Sequence, residues 1–232
     1  MPVQRLSIFC EGQTEENFCN LVLEPHFRGL GVLDVRPLLL PTKVGSTERR
    51  HKGGWIKYST ARDYILRVLA SQHSPGTWFS TLLDLYAIPE DFPALAEAPI
   101  TPARDRIESL EMAFGADVQA QGYYRFTPHL QLHEYEALLL ADCDAIGRAL
   151  PDRPNLAAAL RGETEGLEPE EVDGGRETAP SKRIIKHAPE YDGLKASAGP
   201  LIARDIGLPT LRSRCPHFDA WIVTLEGHVA GD

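Results

Sequence analysis

The sequence predicts an α/β protein whose mostly parallel sheet is flanked by helices. Three short apolar, β-rich segments lie at residues 5–10, 32–40 and 77–89, and segments with helical periodicity separate them. Strands and helices that alternate in this way are typical of parallel strands joined by helices. The 232 residues suffice for one large domain or for a domain with an appended lobe.

The first strand and the helix after it give the clearest signals. The apolar run at 5–10 stops at Glu11, and a glycine and an amphipathic segment from Thr14 to Arg28 follow. The Thr14 hydroxyl is suited to cap this helix, and Glu15 and Glu16 occupy first-turn positions, which favour acids. We therefore expect a short strand-to-helix turn at Glu11.

The later elements of this part of the chain are predicted by the same patterns. Pro37 indicates that the second strand is an edge strand or carries a bulge. Helices are expected at 59–73 and at about 101–114. Within 123–142 we expect a strand that runs into a helix near His133.

The carboxyl-terminal third has a different pattern. Residues 163–180 are acidic, contain Gly and Pro and have few large apolar side chains, which predicts a long surface loop. Short helices punctuated by Gly and Pro are expected after it. We therefore predict two units, an α/β domain at 1–160 and, at 161–232, an acidic loop with a small helical extension packed on that domain.

Composition and charge exclude several classes of protein. The formal net charge is -9, which argues against a protein that coats nucleic acids non-specifically. No apolar run is long enough to span a membrane and the first residues lack a signal peptide, so we expect a cytoplasmic protein that does not bind membranes. The four cysteines are scattered and are expected to be buried thiols.

Two clusters of positive charge contrast with this acidic composition. The segment from Lys43 to Lys57 holds five Lys or Arg residues and one acid, Glu48. The other cluster lies at 182–187. A solvated surface explains either cluster, and so do contacts with the phosphates of a nucleic acid. The candidate phosphate-binding residues are Lys43, Arg49, Arg50, Lys52, Lys182 and Arg183.

Acidic residues follow three of the predicted strands. Glu11 closes the first, Asp84 closes the strand "TWFSTLLD", and Glu134 and Glu136 follow "HLQL". The carboxyl ends of parallel strands share one edge of a sheet, where ligands bind. Carboxylates gathered there repel one another unless a cation neutralises them, and oxygen ligands favour Mg²⁺ or Mn²⁺. The pattern therefore predicts a divalent metal site.

Each acid also has a purely structural explanation. Glu11 can accept hydrogen bonds from the following turn, and Asp84 can cap the turn "IPEDFP". Glu134 and Glu136 lie where a helix begins, which favours acids, and Glu15 fits that role better than the role of a ligand. Other chemistries lack their motifs, because "HEYEA" has no second helical His and there is no G-x-S-x-G or P-loop.

The motifs resemble those of a known family. A strand ending in Glu-Gly, a helix that opens "TEENF" and an Asp on a later strand resemble the Toprim-like (Rossmann-like) fold. Five segments spread over nearly the whole chain together resemble the bacterial domain of unknown function DUF4276, which is related to the Toprim domains of overcoming-lysogenization-defect nucleases. These segments are "FCEGQTEENF", "LLDLYAIP", "HLQLHEYEALL", "TAPSKRI" and "GPLIARDIGLPTLRSRCPHFDAW".

The resemblance implies roles for particular residues. Toprim domains place a Glu after the first strand, as general acid/base or ligand, and a D-x-D on a later strand, where the aspartates hold Mg²⁺. Glu11 and Asp84 match the Glu and the first Asp, but the second Asp is Tyr86 here. A phenol titrates near ~10 and is a poor Mg²⁺ ligand. Either Glu134 or Glu136 then completes the site, or the metal chemistry is impaired.

The resemblance also implies a function. The leading expectation is a metal-dependent phosphodiesterase or nuclease that acts on DNA or RNA as the effector of an anti-phage defence module. Its cofactor would be Mg²⁺ or Mn²⁺, and Glu11 and Asp84 would be catalytic. Such relatives are often encoded beside an ABC- or AAA-type ATPase, which implies a partner. The alternative is a non-catalytic regulatory or nucleotide-binding subunit of that ATPase, and homo-oligomerisation stays open.

Overall fold

A parallel sheet lies at the centre of the fold. The structure, a computed structural model, describes residues 3–41, 57–86, 88–172, 175 and 177–231. The strands run in the order β2-β1-β3-β4, β5 also pairs with β3, and every pairing is parallel. The predicted α/β class with a mostly parallel sheet is therefore confirmed. The strands are β1 (Arg5–Cys10), β2 (Asp34–Leu39), β3 (Thr77–Asp84), β4 (Phe126–Thr127) and β5 (Leu130–Gln131).

Helices supply the rest of the regular structure. A π-helical turn at Cys19–Leu23 joins α1 to α2, and a 3₁₀ turn lies at Pro169–Glu171. None of the helices in the described ranges is both long and apolar enough to cross a membrane. The helices are α1 (Gln13–Phe18), α2 (Glu24–Gly29), α3 (Tyr58–Gln72), α4 (Ala103–Gln119), α5 (Glu136–Leu139), α6 (Cys143–Ala149), α7 (Leu156–Glu163), α8 (Pro180–His187), α9 (Tyr191–Ile206), α10 (Leu208–Arg214) and α11 (Pro216–Ala230).

The side chains of β1 alternate between two apolar cores. Leu6 and Ile8 belong to one core, which also contains Phe18 of α1 and Ile222 of α11. Phe9 belongs to the other core, against α3 and α4. Because one core holds residues from both ends of the chain, the carboxyl-terminal helices pack directly on the sheet, and the division into units at residue 160 stays a prediction.

The amino end of the first helix differs from its prediction. Gly12, in extended backbone conformation, occupies the N-cap position, so Thr14 lies inside the helix and its hydroxyl does not cap it. The carboxylate of Glu15 caps the helix instead, since its Oε2 accepts a hydrogen bond of 2.8 Å from the Gly12 N–H. An acid in the first turn satisfies a backbone donor that the helix leaves free.

The acidic segment at 163–180 is more than a surface loop. Glu170 and Val172 are buried within it. The Glu170 carboxylate accepts hydrogen bonds from the backbone N–H groups of His217 and Phe218, at 2.8 and 3.0 Å. This segment therefore caps the amino end of α11, which the low apolar content of its sequence does not reveal.

Candidate metal centre

Glu11 and Asp84 lie at the ends of two adjacent strands. Cys10, the last residue of β1, is level with Leu82 of β3, so the two chains leave the sheet side by side. The backbone N–H of Asp84 donates a hydrogen bond of 3.3 Å to Glu11 Oε2. The structure thus brings together the two acids whose sequence positions predicted a shared edge.

A tight turn after β5 brings two further acids to this edge. His133 has a φ of 62°, a left-handed conformation that is costly for a residue other than glycine. Its carbonyl oxygen accepts a hydrogen bond of 2.7 Å from the Tyr86 N–H, which ties the turn to the end of β3. Glu134 and Glu136 follow directly, and both are buried. Strain at a turn that positions buried acids is typical of functional sites.

Five carboxylates, which we call the acidic cluster, lie near enough to one another to affect the pKa values of Glu11 and Asp84. Burial raises the pKa of Glu11 to about 8, with a further rise from the negative charge of Glu15 and smaller ones from Glu134 and Glu136. Burial likewise raises the pKa of Asp84 well above its usual value, and the other four acids raise it further. The members of the acidic cluster are Glu11, Glu15, Asp84, Glu134 and Glu136.

Glu15 belongs to this cluster although the sequence favoured a role at the helix start. Burial raises its pKa to about 7, against the lowering effect of backbone hydrogen bonds, and the charge of Glu136 adds to the rise. Glu15 is 6% exposed. Glu15 therefore caps α1 and also contributes a carboxylate to the acidic cluster.

Donors from α8 and α9 bind Glu134 and Glu136. The Ser181 N–H, in the first turn of α8, donates a hydrogen bond of 2.9 Å to Glu134 Oε2. The ammonium group of Lys195, on α9, lies 3.3 Å from Glu136 Oε1. Burial alone would lower the pKa of Lys195, but the charges of Glu136 and Glu134 outweigh burial and raise it. The helical extension thus completes the site.

The acidic cluster has the ligand chemistry of a hard divalent cation, although no three of its carboxylates have oxygens within 4.8 Å of one another. All its members offer carboxylate oxygens, the ligands that Mg²⁺ and Mn²⁺ prefer. Burial and the neighbouring acids raise the pKa values of Glu11 and Asp84, so a cation at this edge would favour their ionised forms. Tyr86, two residues after Asp84, is 38% exposed.

The metal-free protein should lose stability as pH rises from about 5 to about 8. The pKa values of Glu11 and Glu15, about 8 and about 7, lie above their ordinary value of 4.5. The folded protein therefore binds these protons more tightly than the unfolded chain, and stability falls as they are lost. One pKa unit corresponds to about 1.4 kcal/mol, and since water reaches this edge we expect Glu11 to account for on the order of 1–2 kcal/mol.

Urea unfolding without metal at pH values of roughly 5.5 and 8.5 measures this effect. The wild type should lose stability relative to Glu11→Gln over that interval, because the variant has no proton to lose at position 11. The comparison cancels the titration of the buried histidines, which both proteins share. The expectation would be contradicted if the difference in unfolding free energy between wild type and Glu11→Gln were the same at both pH values, or if it shifted in favour of the wild type at high pH.

Comparison with known proteins assigns the family. The family described as Domain of unknown function (DUF4276) matches residues 10–226. The chain belongs to this family. No curated protein matches this DUF4276 chain. Two solved structures of the C-terminal region of the Xanthomonas campestris pv. campestris OLD protein are similar at 18% identity, with TM-scores of 0.35 and 0.36, over 96% and 97% of this chain and 97% of theirs.

The predicted phosphate-binding residues of this DUF4276 protein divide into three groups. Lys182 is exposed and follows Ser181, which contacts Glu134. Arg183 is engaged within the protein, because its guanidinium donates to the carbonyl oxygens of Thr178 and Glu163, at 2.8 and 3.1 Å. The remaining four, Lys43, Arg49, Arg50 and Lys52, lie outside the described residues.

The DUF4276 fold also holds a Glu/His cluster that the sequence analysis missed. Ligand atoms of Glu111, His129 and His217 lie within 4.8 Å of one another. Glu111 Oε1 accepts a hydrogen bond of 2.7 Å from the Leu130 N–H, and His217 Nε2 lies 3.1 Å from both Glu111 Oε1 and the Leu130 carbonyl oxygen. These residues come from α4, from the position just before β5 and from α11, and no sequence spacing links them.

The charges of this Glu/His cluster are paired. Burial alone would raise the pKa of Glu111, but hydrogen bonds from His129 and His217 bring it to about 2. Burial lowers the pKa of His129, whereas the bond to Glu111 raises that of His217 above its ordinary value despite burial. A neutralised network differs from the acidic cluster, where negative charges accumulate. The pairing favours a structural role, in which the cluster holds α4, β5 and α11 together.

Proposed function

We propose that this protein is a metal-dependent phosphodiesterase or nuclease that acts on DNA or RNA, with Mg²⁺ or Mn²⁺ held by the acidic cluster. One observation carries the proposal: acids from three strand ends lie at one edge of the sheet, and burial and the neighbouring acids raise the pKa values of Glu11 and Asp84. Capping roles alone do not require acids from distant segments to share a site.

Each acid has a role in this proposal. Asp84 and one of Glu134 and Glu136 would hold the ion, and Glu11 would act either as the general acid/base or as a further ligand. When bound, the ion would activate water and neutralise charge on the phosphodiester. In the metal-free protein burial raises the pKa of Glu11 to about 8, and a nearby cation would lower that pKa toward neutral pH. In the acid/base role Glu11 would therefore be suited to take a proton from the attacking water or to give one to the departing oxygen.

Basic side chains would contact the phosphate backbone. Lys182 supports this role best, because it is exposed on the first turn of α8, next to the residue that binds Glu134. Arg183 would have to leave its contacts with Thr178 and Glu163 to take part. For Lys43, Arg49, Arg50 and Lys52 the proposal rests on the positive charge of their segment.

The wider setting is proposed from the Toprim resemblance. The protein would be the cytoplasmic effector of an anti-phage defence module and would act with an ABC- or AAA-type ATPase. A homo-oligomer is compatible with this arrangement. The resemblance, rather than a contact within the chain, supports these points.

A second candidate is a non-catalytic regulatory or nucleotide-binding subunit of such an ATPase. Two observations favour it. Tyr86 replaces an acid where Toprim domains place a metal ligand, and Lys195 already pairs with Glu136. A site altered in both places could bind a nucleotide without cleaving a phosphodiester.

Cleavage assays distinguish these candidates. We expect the wild-type protein to cleave at least one of linear double-stranded DNA, single-stranded DNA and RNA with Mg²⁺ or Mn²⁺ at millimolar concentration, and to stop when EDTA is added. Asp84→Asn, purified in the same way, controls for contaminating nucleases. Binding of Mn²⁺ without cleavage of any substrate would favour the regulatory subunit.

A further inference from the structure

The Glu/His cluster has the spacing of a zinc site. Among the described residues it is the one group of three His, Cys, Asp or Glu side chains whose ligand atoms lie within 4.8 Å of one another. His129 Nδ1 and His217 Nε2 lie 3.5 and 3.1 Å from Glu111 Oε1. Zinc–ligand distances of about 2.0–2.1 Å place the ligand atoms of a tetrahedral site about 3.3 Å apart. Each nitrogen is therefore about as far from the carboxylate oxygen as two ligands of one zinc ion would be.

Hydrogen bonds account for His217 but satisfy His129 poorly. The separation of 3.5 Å between His129 Nδ1 and Glu111 Oε1 exceeds the usual N–H···O range of about 2.7–3.2 Å. The other ring nitrogen of His129, Nε2, is buried and has no hydrogen-bond partner. A buried polar atom in this state calls for an explanation, and a bound ion that reorders the contacts of the ring is one of those that are usual.

The fold holds both imidazoles in place. The ring of His129 stacks on the indole of Trp221, with the ring centres 4.3 Å apart and 7° between the planes. The Thr81 hydroxyl accepts a hydrogen bond of 2.7 Å from the His129 N–H and donates one of 2.8 Å to its carbonyl oxygen. The His217 N–H donates a hydrogen bond of 2.8 Å to Glu170. Ligands that are fixed in this way lose little freedom when an ion binds.

The donor atoms favour zinc over magnesium. Two imidazole nitrogens and one carboxylate oxygen suit Zn²⁺, whereas Mg²⁺ prefers oxygen ligands alone. The carbonyl oxygen of Leu130 lies 3.1 Å from His217 Nε2, so this oxygen or a water molecule can supply a fourth ligand. An ion can reach the cluster through Glu111, whose side chain is 17% exposed. The cluster thus differs in chemistry from the acidic cluster, where every member offers oxygen.

We propose that the Glu/His cluster is a structural Zn²⁺ site, with Glu111, His129 and His217 as ligands. The ion takes the place of the proton that His217 Nε2 shares with Glu111 Oε1, and so bonds α4 and α11 to the residue just before β5. Without zinc, the paired network of hydrogen bonds holds the same elements together. The site is separate from the acidic cluster, and the inference does not rest on the proposed nuclease activity.

Binding of Co²⁺, which substitutes for Zn²⁺, tests the proposal. Co²⁺ absorbs visible light strongly in tetrahedral sites and weakly in octahedral sites made of oxygen ligands. The full chain, stripped with EDTA that is then removed, should gain the strong absorption with one Co²⁺ per chain and lose it when Zn²⁺ is added. His129→Asn and His217→Gln put an amide near the position of the ligating nitrogen. Each should weaken Co²⁺ binding at least about tenfold, since even the loss of an outer contact costs about 10–100-fold.

Two further variants are the matched controls. His26→Gln removes a histidine that pairs with one glutamate, Glu226, at 2.7 Å, and that belongs to no group of three ligands among the described residues. Asp84→Asn removes a member of the acidic cluster. Both should keep the absorption and the affinity of the wild type.

Several outcomes would overturn the proposal. These are a wild type without the strong absorption, unchanged Co²⁺ affinity in both variants of the cluster histidines, and loss of the absorption in Asp84→Asn, which would locate the ion at the acidic cluster. X-ray absorption at the zinc edge needs no variant and decides the matter if the histidine variants fail to fold. Zinc-loaded wild type should show two imidazole ligands per ion, and a shell of oxygen alone would refute the site.

Discussion

Glu11→Gln and Asp84→Asn should each abolish most of the nuclease activity and most of the stabilisation by metal. The proposed acid/base role of Glu11 predicts a loss of activity of about 10²–10⁴-fold. In the wild type, an ion at a hundredfold excess over its Kd stabilises the folded state by about 2.7 kcal/mol. This corresponds to a rise in melting temperature of roughly 5–10 °C for a chain of this size. Each variant should lose most of that rise.

Without metal, both variants should be at least as stable as the wild type. Each substitution replaces an acid whose ionised form is disfavoured by burial and by its acidic neighbours. Melting curves with and without Mg²⁺ or Mn²⁺ measure both effects. Asp63→Asn, at an exposed acid of α3, is the matched control and should behave like wild type. If the variants are less stable than wild type without metal and are still stabilised by added metal, Glu11 and Asp84 act as caps of backbone N–H groups.

The sequence predicted the framework of this site because strand ends are local signals. An apolar run that stops at an acid identifies both the strand and its last residue, and parallel pairing places such ends together. Glu11 and Asp84 meet for this reason. The same reasoning underestimated Glu15, since a first-turn acid has an adequate local explanation, and only the packing of α1 on the sheet reveals that its carboxylate is buried.

Other parts of the site depend on tertiary structure alone. Lys195 lies 59 positions after Glu136 on a helix whose sequence gives no sign of the surface that it packs against. Glu111, His129 and His217 are likewise distant in sequence, and their common location follows from how α4 and α11 dock on β5. Single residues of this kind carry no periodic signal, so hydrophobic patterning cannot find them.

The two clusters should respond in opposite ways to loss of a carboxylate. In the acidic cluster a carboxylate is opposed by its neighbours, whereas Glu111 is supported by two histidines and by the Leu130 N–H. Removing one partner of a buried ion pair leaves the other without compensation and typically costs about 3–5 kcal/mol. Glu111 is 17% exposed, which lets water compensate for part of this loss.

Glu111→Gln should therefore destabilise the protein by about 2–3 kcal/mol and leave the metal response unchanged. The substitution keeps the shape of the side chain but removes the charge that holds His217 on α11 against β5. Urea unfolding should show the loss at neutral pH, and saturating Mg²⁺ should raise the melting temperature of the variant as much as that of the wild type. Glu108→Gln, in an exposed pair with Arg104 on the same helix, is the matched control and should cost less than about 0.5 kcal/mol. If Glu111→Gln instead kept its stability and lost the metal response, the ion would bind at the Glu/His cluster rather than at the acidic cluster.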